Sequence, residues 1–139
     1  MGVLFLCTAN SCRSQMAEGT YRSLAPSARV YSAGTAPGEV HPMAIRVMDE
    51  VGIDISTHRS KSIGEIRPDH IDIVVTLCDD AARCPTPTME AERLHWPIDD
   101  PGAATGTKEE LLLAFRATRD EIRANVLELV RARVDSRGA

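Results

Sequence analysis

Cys7 and Arg13 lie six positions apart in the run Cys7-Thr8-Ala9-Asn10-Ser11-Cys12-Arg13-Ser14, and together they could do nucleophilic chemistry on an oxyanion. A guanidinium grips two oxygens of a tetrahedral anion in a bidentate fork, which an ammonium cannot do. A cysteine flanked by Arg13, the Ser14 hydroxyl and the inward N–H groups of a tight loop is favoured as the thiolate, its reactive form. The spacing alone is weak. Its setting makes it a site. Val3-Leu4-Phe5-Leu6 before it is short, apolar and β-prone, and Gln15-Met16-Ala17-Glu18 after it opens a helix with Ser14 as the expected N-cap. A strand, a tight loop and a helix N-terminus together hold an anion between N–H groups and the positive end of a helix dipole. Thr8, Ala9, Asn10, Ser11, Cys12, Arg13 and Ser14 are thus the expected oxyanion loop. Asn10 is expected to brace it through side-chain hydrogen bonds. Cys12, inside the loop, reads as structural.

Three further residues could join this chemistry. Cys78 ends the apolar run Ile71-Asp72-Ile73-Val74-Val75-Thr76-Leu77, and Cys84 follows it just before Pro85-Thr86-Pro87. Asp100 lies in the turn Pro97-Ile98-Asp99-Asp100-Pro101-Gly102. Open α/β sheets place their ligands at the carboxyl ends of the strands, which is where Cys78 and Asp100 fall. Zinc is not expected, because there is no Cys-x-x-Cys and no histidine at ligand spacing from a cysteine pair. His58 shows no partner in the sequence and reads as a surface or structural histidine.

The elements that must position these groups alternate between strand and helix, which favours a parallel sheet. A helix is expected from Ser14 to Leu24, stopped before Pro26, then a strand over Arg29–Ala33 closed by Gly34. Pro42 suits the first turn of a second helix, with Ala44, Val47, Met48 and Val51 on its apolar face and Gly52 ending it. Residues 53–69 read as a polar loop with a short helix near Ser62. The strand over Ile71–Leu77 is nearly continuous in β-branched residues, as a central parallel strand should be. Leu94-His95-Trp96 reads as a fourth strand. Thr107-Lys108-Glu109-Glu110 is a capping box for a long last helix with Leu111, Phe115, Ile122, Val126 and Leu129 as its buried stripe, fraying after Val134.

At 139 residues the chain reads as one domain with a core large enough to need no staples. Its net charge of −4 argues against nucleic acid or an acidic membrane as partner, since both want a basic face. No apolar stretch reaches spanning length, and the start lacks the basic region of a signal peptide. The expected location is the cytoplasm, where four cysteines begin as thiols.

These placed motifs resemble the thioredoxin-coupled arsenate reductases, which share the fold of the low-molecular-weight protein tyrosine phosphatases. The resemblance rests on Cys7 through Gly19, Tyr31-Ser32-Ala33-Gly34, Thr76-Leu77-Cys78, and His95-Trp96 leading to Asp99-Asp100-Pro101. It implies a single α/β domain, a four-stranded parallel sheet flanked by helices on both faces. It also implies arsenate as substrate, no cofactor, and a relay in which Cys7 attacks arsenate with Asp100 as general acid. Cys78 then attacks the Cys7 sulfur, Cys84 takes over the disulfide, and thioredoxin reduces it. The rival is a phosphatase acting on phosphotyrosine or a small phosphoester, which would leave Cys78 and Cys84 without a task.

Two departures from the resembled pattern carry expectations. Cys78 and Cys84 are one residue closer than in that family, so a helix between them would have to unwind for the thiols to meet. In some relatives, residues matching Asn10, Glu18 and Ser32, with an aspartate at the position of Lys61, help bind potassium. Here Lys61 is expected to reach the Glu18 carboxylate and support the loop in potassium's place, with no metal bound.

Overall fold

The apolar run at the N-terminus forms strand β1, Gly2–Cys7, buried along its whole length. In the computed structural model, residues 2–67, 70–78 and 90–138 are described, with side chains to Arg133 in the last helix. Three further strands pair with β1 or extend its sheet: β2 (Arg29–Gly34), β3 (Ile73–Thr76) and β4 (Glu92–His95). The order is β2-β1-β3-β4, and every pairing is parallel. A strand with neighbours on both sides and both faces covered should be apolar throughout, and β1 is.

The helices are α1 (Arg13–Leu24), α2 (Pro42–Asp49) and α3 (Lys108–Gly138). One face of the sheet carries Val3, Phe5, Ile73 and Val75, packed with Met16, Ala17 and Tyr21 of α1, Val47 and Met48 of α2, and Phe115, Ile122 and Val126 of α3. The other face carries Leu4, Leu6 and Val74, covered among the described residues by Tyr31, Ile63, Ile66 and Ala91. The short helix expected near Ser62 is a 3-10 turn, Ile63–Glu65, closed by a capping box between Ser62 and Glu65.

Several boundaries differ from expectation for identifiable reasons. Helix α1 begins at Arg13, with Cys12 as an N-cap whose side chain makes no capping bond. Ser14 is not the cap, because its hydroxyl is engaged inside the loop. The first turn of α3 buries Leu112 and leaves Leu111 half-buried. Leu112 stands three residues before Phe115, so both lie on the helix face that meets α2. The backbone of α3 continues past the expected end at Val134 to Gly138. Glu50, just beyond α2, ties to α3. Arg116 grips it with bonds of 2.7, 2.9 and 3.2 Å, and Arg119 adds one at 2.8 Å. The Arg116 bonds foremost hold the carboxyl down to about 2.

Because all strands run the same way, their carboxyl ends share one edge. Cys7 ends β1 there, opposite Gly34 of β2. Leu6 pairs with Thr76 and Thr76 with His95, so the segments carrying Cys78 and Asp100 leave from the same edge.

Candidate active site

The loop after β1 turns its carbonyls outward. Thr8 O accepts from Ala36 N–H at 2.9 Å, Ala9 O from Gly38 N–H at 3.2 Å, and Ser11 O from His41 N–H at 2.9 Å. Asn10 O accepts from the Gln15 side-chain amide at 3.2 Å. In a trans peptide the N–H of the next residue points opposite to the carbonyl, and no peptide here is cis. The N–H groups of residues 9, 10, 11 and 12 therefore turn away from this outer shell, toward the loop's centre. Backbone donors turned inward, with the N-terminus of α1 behind them, are an arrangement that can cradle an anion. Gly34 is needed for this approach: a Cβ there would collide with the Thr8 carbonyl oxygen.

Arg13 opens α1 and is almost fully buried. One terminal nitrogen donates to Leu77 O at 3.1 Å and to Ile98 O at 2.9 Å. The other lies 3.9 Å from Asp100 Oδ2. Carbonyls of the segments that leave β3 and β4 thus hold the guanidinium in place, with its second nitrogen facing Asp100. The Asp100 side chain is 39% exposed and also caps the 3-10 turn Pro101–Ala103 through Gly102 N–H at 2.9 Å. A half-exposed carboxyl at the mouth can exchange protons with solvent and still reach a bound anion.

Cys7 is buried, with its sulfur 2.8 Å from Ser14 Oγ. Asn10 Nδ2 donates to the same oxygen at 2.7 Å, and the Ser14 proton remains available to the Cys7 sulfur. Asn10 adopts φ 51°, a left-handed conformation that Asn tolerates better than most residues. Its Oδ1 accepts from Lys61 N–H at 2.8 Å and Gln15 Nε2 at 2.9 Å. Cys12 differs in kind. Burial foremost pushes its thiol up to about 12, so it stays protonated beside Cys7. None of the described cysteines Cys7, Cys12 and Cys78 is disulfide-bonded. Cys78 is buried just past β3, one residue after Leu77, whose N–H bonds Leu6 O at 2.9 Å. Cys7 and Cys78 therefore leave adjacent parallel strands at one edge. Cys84, and the question of a helix between it and Cys78, lie outside the described residues.

The support beneath the loop is built differently from the expectation. The Glu18 carboxylate accepts from Ser32 Oγ at 2.9 Å, from Arg22 at 3.0 Å and from His58 Nδ1 at 3.2 Å. The Lys61 ammonium instead donates to Arg59 O at 2.7 Å, although its backbone N–H does serve the loop through Asn10. Burial draws Lys61 below its ordinary value, with Glu18 pulling the other way. The correction has a plain cause: three donors, Ser32, Arg22 and His58, already fill Glu18. Potassium does not fit these residues, because both lone-pair directions of Asn10 Oδ1 and the outward oxygen of Glu18 are taken by N–H donors. His58, expected to have no partner, contacts Gln15, Glu18 and Arg22. Burial foremost lowers it below its ordinary value. Gln15, Glu18 and Arg22 fall at i, i+3 and i+7 on α1, a polar stripe that in isolation looks like a solvated face.

Among the described residues, no helix is long and apolar enough to cross a membrane, and no group of three His, Cys, Asp or Glu could hold a metal ion.

Comparison with known proteins agrees with this architecture. The family model described as low molecular weight phosphotyrosine protein phosphatase matches residues 2–138. An arsenate reductase of Shouchella clausii is 48% identical over 126 residues, 89% of this chain and 91% of that one. The solved structure of an arsenate reductase in the phosphate binding state superposes with a TM-score of 0.80 at 37% identity, covering 94% of this chain and 97% of the other. A thioredoxin-dependent arsenate reductase of Corynebacterium glutamicum superposes with a TM-score of 0.69 at 27% identity, over 94% of this chain and 60% of its own. The chain belongs to the low molecular weight phosphotyrosine protein phosphatase family, and the arsenate reductases are its relatives within it.

Proposed function

We propose that this chain reduces arsenate to arsenite through a covalent adduct on Cys7. The carrying observation is that Cys7 ends β1 and Cys78 lies just past the end of its parallel neighbour β3, at the edge where the loop's N–H groups and Arg13 converge. The N–H groups and the guanidinium bind the arsenate oxygens, and the Ser14 hydroxyl contacts and orients the Cys7 sulfur at 2.8 Å. That sulfur attacks arsenic, and Asp100 gives its proton to the departing oxygen, which leaves as water. Cys78 then attacks the Cys7 sulfur. The sulfur–arsenic bond breaks with its electron pair going to arsenic, so As(V) becomes As(III) and a Cys7–Cys78 disulfide forms. Cys84 attacks Cys78, which frees Cys7 and moves the disulfide to Cys78–Cys84. Thioredoxin is the proposed reductant, in line with the Corynebacterium relative named for that dependence.

Mixing fully reduced protein with arsenate, without any added thiol, tests the chemistry. One arsenite per chain should be released, then turnover should stop. Release of none would contradict the reading. A phosphatase alternative shares Cys7, Arg13 and Asp100, and phosphate has nearly the shape and charge of arsenate. It is disfavoured because it uses neither Cys78 nor Cys84.

Asp100→Asn should slow adduct formation by about 10²-fold or more, the usual size of a general-acid term, with sulfate affinity little changed. Rapid-quench single turnovers and sulfate titration would check this; unchanged single-turnover chemistry with much weaker sulfate binding would contradict the role. Activity and melting temperature should also be the same in potassium and sodium salts at matched ionic strength, because Arg22 and His58 already fill Glu18. A substantial gain from potassium would overturn that.

A further inference from the structure

A run of hydrogen bonds leads from the rim of the molecule to the Cys7 sulfur, and its direction can be worked out donor by donor. Arg22 is a guanidinium and can only donate, so the His58 Nε2 it meets at 3.2 Å must accept. The His58 proton then sits on Nδ1, which donates to Gln15 Oε1 at 3.0 Å and to Glu18 at 3.2 Å. With its oxygen turned to His58, Gln15 presents Nε2 to the loop. There it reaches three acceptors: Asn10 Oδ1 at 2.9 Å, Asn10 O at 3.2 Å and Arg59 O at 3.1 Å. Asn10, so oriented, gives Nδ2 to Ser14 at 2.7 Å, and with Cys7 as the attacking sulfur the Ser14 proton is the one that faces it across 2.8 Å. Reversing Gln15 would set its oxygen against the Asn10 and Arg59 oxygens, and reversing Asn10 would set its amide nitrogen against the Gln15 and Lys61 N–H donors.

We propose that Gln15 and His58 are positioning residues for Cys7, fixing through Asn10 and Ser14 the direction of the donor chain that ends on its sulfur. The proposal rests on the reading of Cys7 as the attacking sulfur. Gln15 is fully buried and pins Asn10 in its left-handed conformation by side chain and carbonyl at once. The Lys61 N–H holds the same Asn10 oxygen from the other side, so losing Gln15 loosens the bracing without removing it. His58 acts one step further out, by holding Gln15 the right way round. Neither side chain touches the bound oxyanion in this role.

The readout is the rate at which iodoacetamide alkylates Cys7 in the fully reduced chain at neutral pH, resolved from the other cysteines by peptide mapping. Gln15→Met keeps the length and burial but has no donor, and should slow Cys7 alkylation by about tenfold, the size of one net hydrogen bond. His58→Leu should slow it by a smaller factor. His58→Gln should restore the rate, since one amide can accept from Arg22 and donate to Gln15. A merely structural role would lower the melting temperature without this pattern of loss and rescue. Wild-type alkylation in folded Gln15→Met, or equal rates in His58→Leu and His58→Gln, would overturn the proposal. If Gln15→Met fails to fold, the two His58 variants decide. Alkylation needs no oxyanion, so slow alkylation upholds the donor chain even in a protein that fails to reduce arsenate. Unchanged alkylation sinks it even if reduction proceeds.

Discussion

Replacing Cys7 by serine should abolish arsenate reduction and cut any phosphatase side activity by about 10⁴-fold or more, as loss of a nucleophile does. Two causes act together. A serine hydroxyl is not ionised near neutral pH, and the loop's donors stabilise an anion that serine does not supply. Serine also cannot form the disulfide that takes arsenic from As(V) to As(III), so reduction is closed to it even if an oxygen adduct formed. The fold should survive, because serine is close in size and can keep the contact with Ser14. A melting temperature near wild type together with sulfate binding would show that the cradle is intact. Reduction near the wild-type rate would mean that Cys7 is not the nucleophile.

The second large effect separates the relay from the adduct. Cys84→Ser should complete one turnover and stop, leaving a Cys7–Cys78 disulfide that peptide mass mapping detects. Cys78→Ser should lose multiple-turnover reduction yet keep phosphoester hydrolysis, which needs Cys7, Arg13 and Asp100 alone. The geometry explains the difference. Cys78 is buried just past β3, beside the carbonyl that aims Arg13, so its loss removes a thiol without unseating the guanidinium. Sustained thioredoxin-coupled turnover in either variant would contradict the relay.

The loop was legible from sequence because its parts are contiguous. An apolar strand, a tight turn and a helix start occupy residues 2–24 with nothing inserted, and local rules suffice to place them. Strand β3 was legible for a similar reason, since its β-branched run has no amphipathic alternative. The bracing beneath the loop was not. Arg22 stands four residues after Glu18 on α1, so their pairing is local, but where the Lys61 ammonium goes instead is decided only by the packed fold. His58 is 40 residues from Glu18 in sequence, so nothing local marks their contact. Ser14 shows how a correct residue can carry the wrong role. Its type suits a helix cap, but the Cys7 sulfur and the Asn10 amide claim its hydroxyl first. In α3 the stripe was off by one residue at its first turn, where Leu111 and Leu112 are equally apolar and tertiary contact with α2 chose between them.

As proposed, this chain reduces arsenate catalytically through thiols that thioredoxin restores. The most direct measurement is NADPH consumption by the purified chain with thioredoxin and its reductase, started by adding arsenate. NADPH should be consumed only when arsenate and every protein are present, with one arsenite formed per NADPH oxidised. NADPH consumption that stays at background after arsenate is added, by a protein that hydrolyses phosphoesters in parallel, would contradict it.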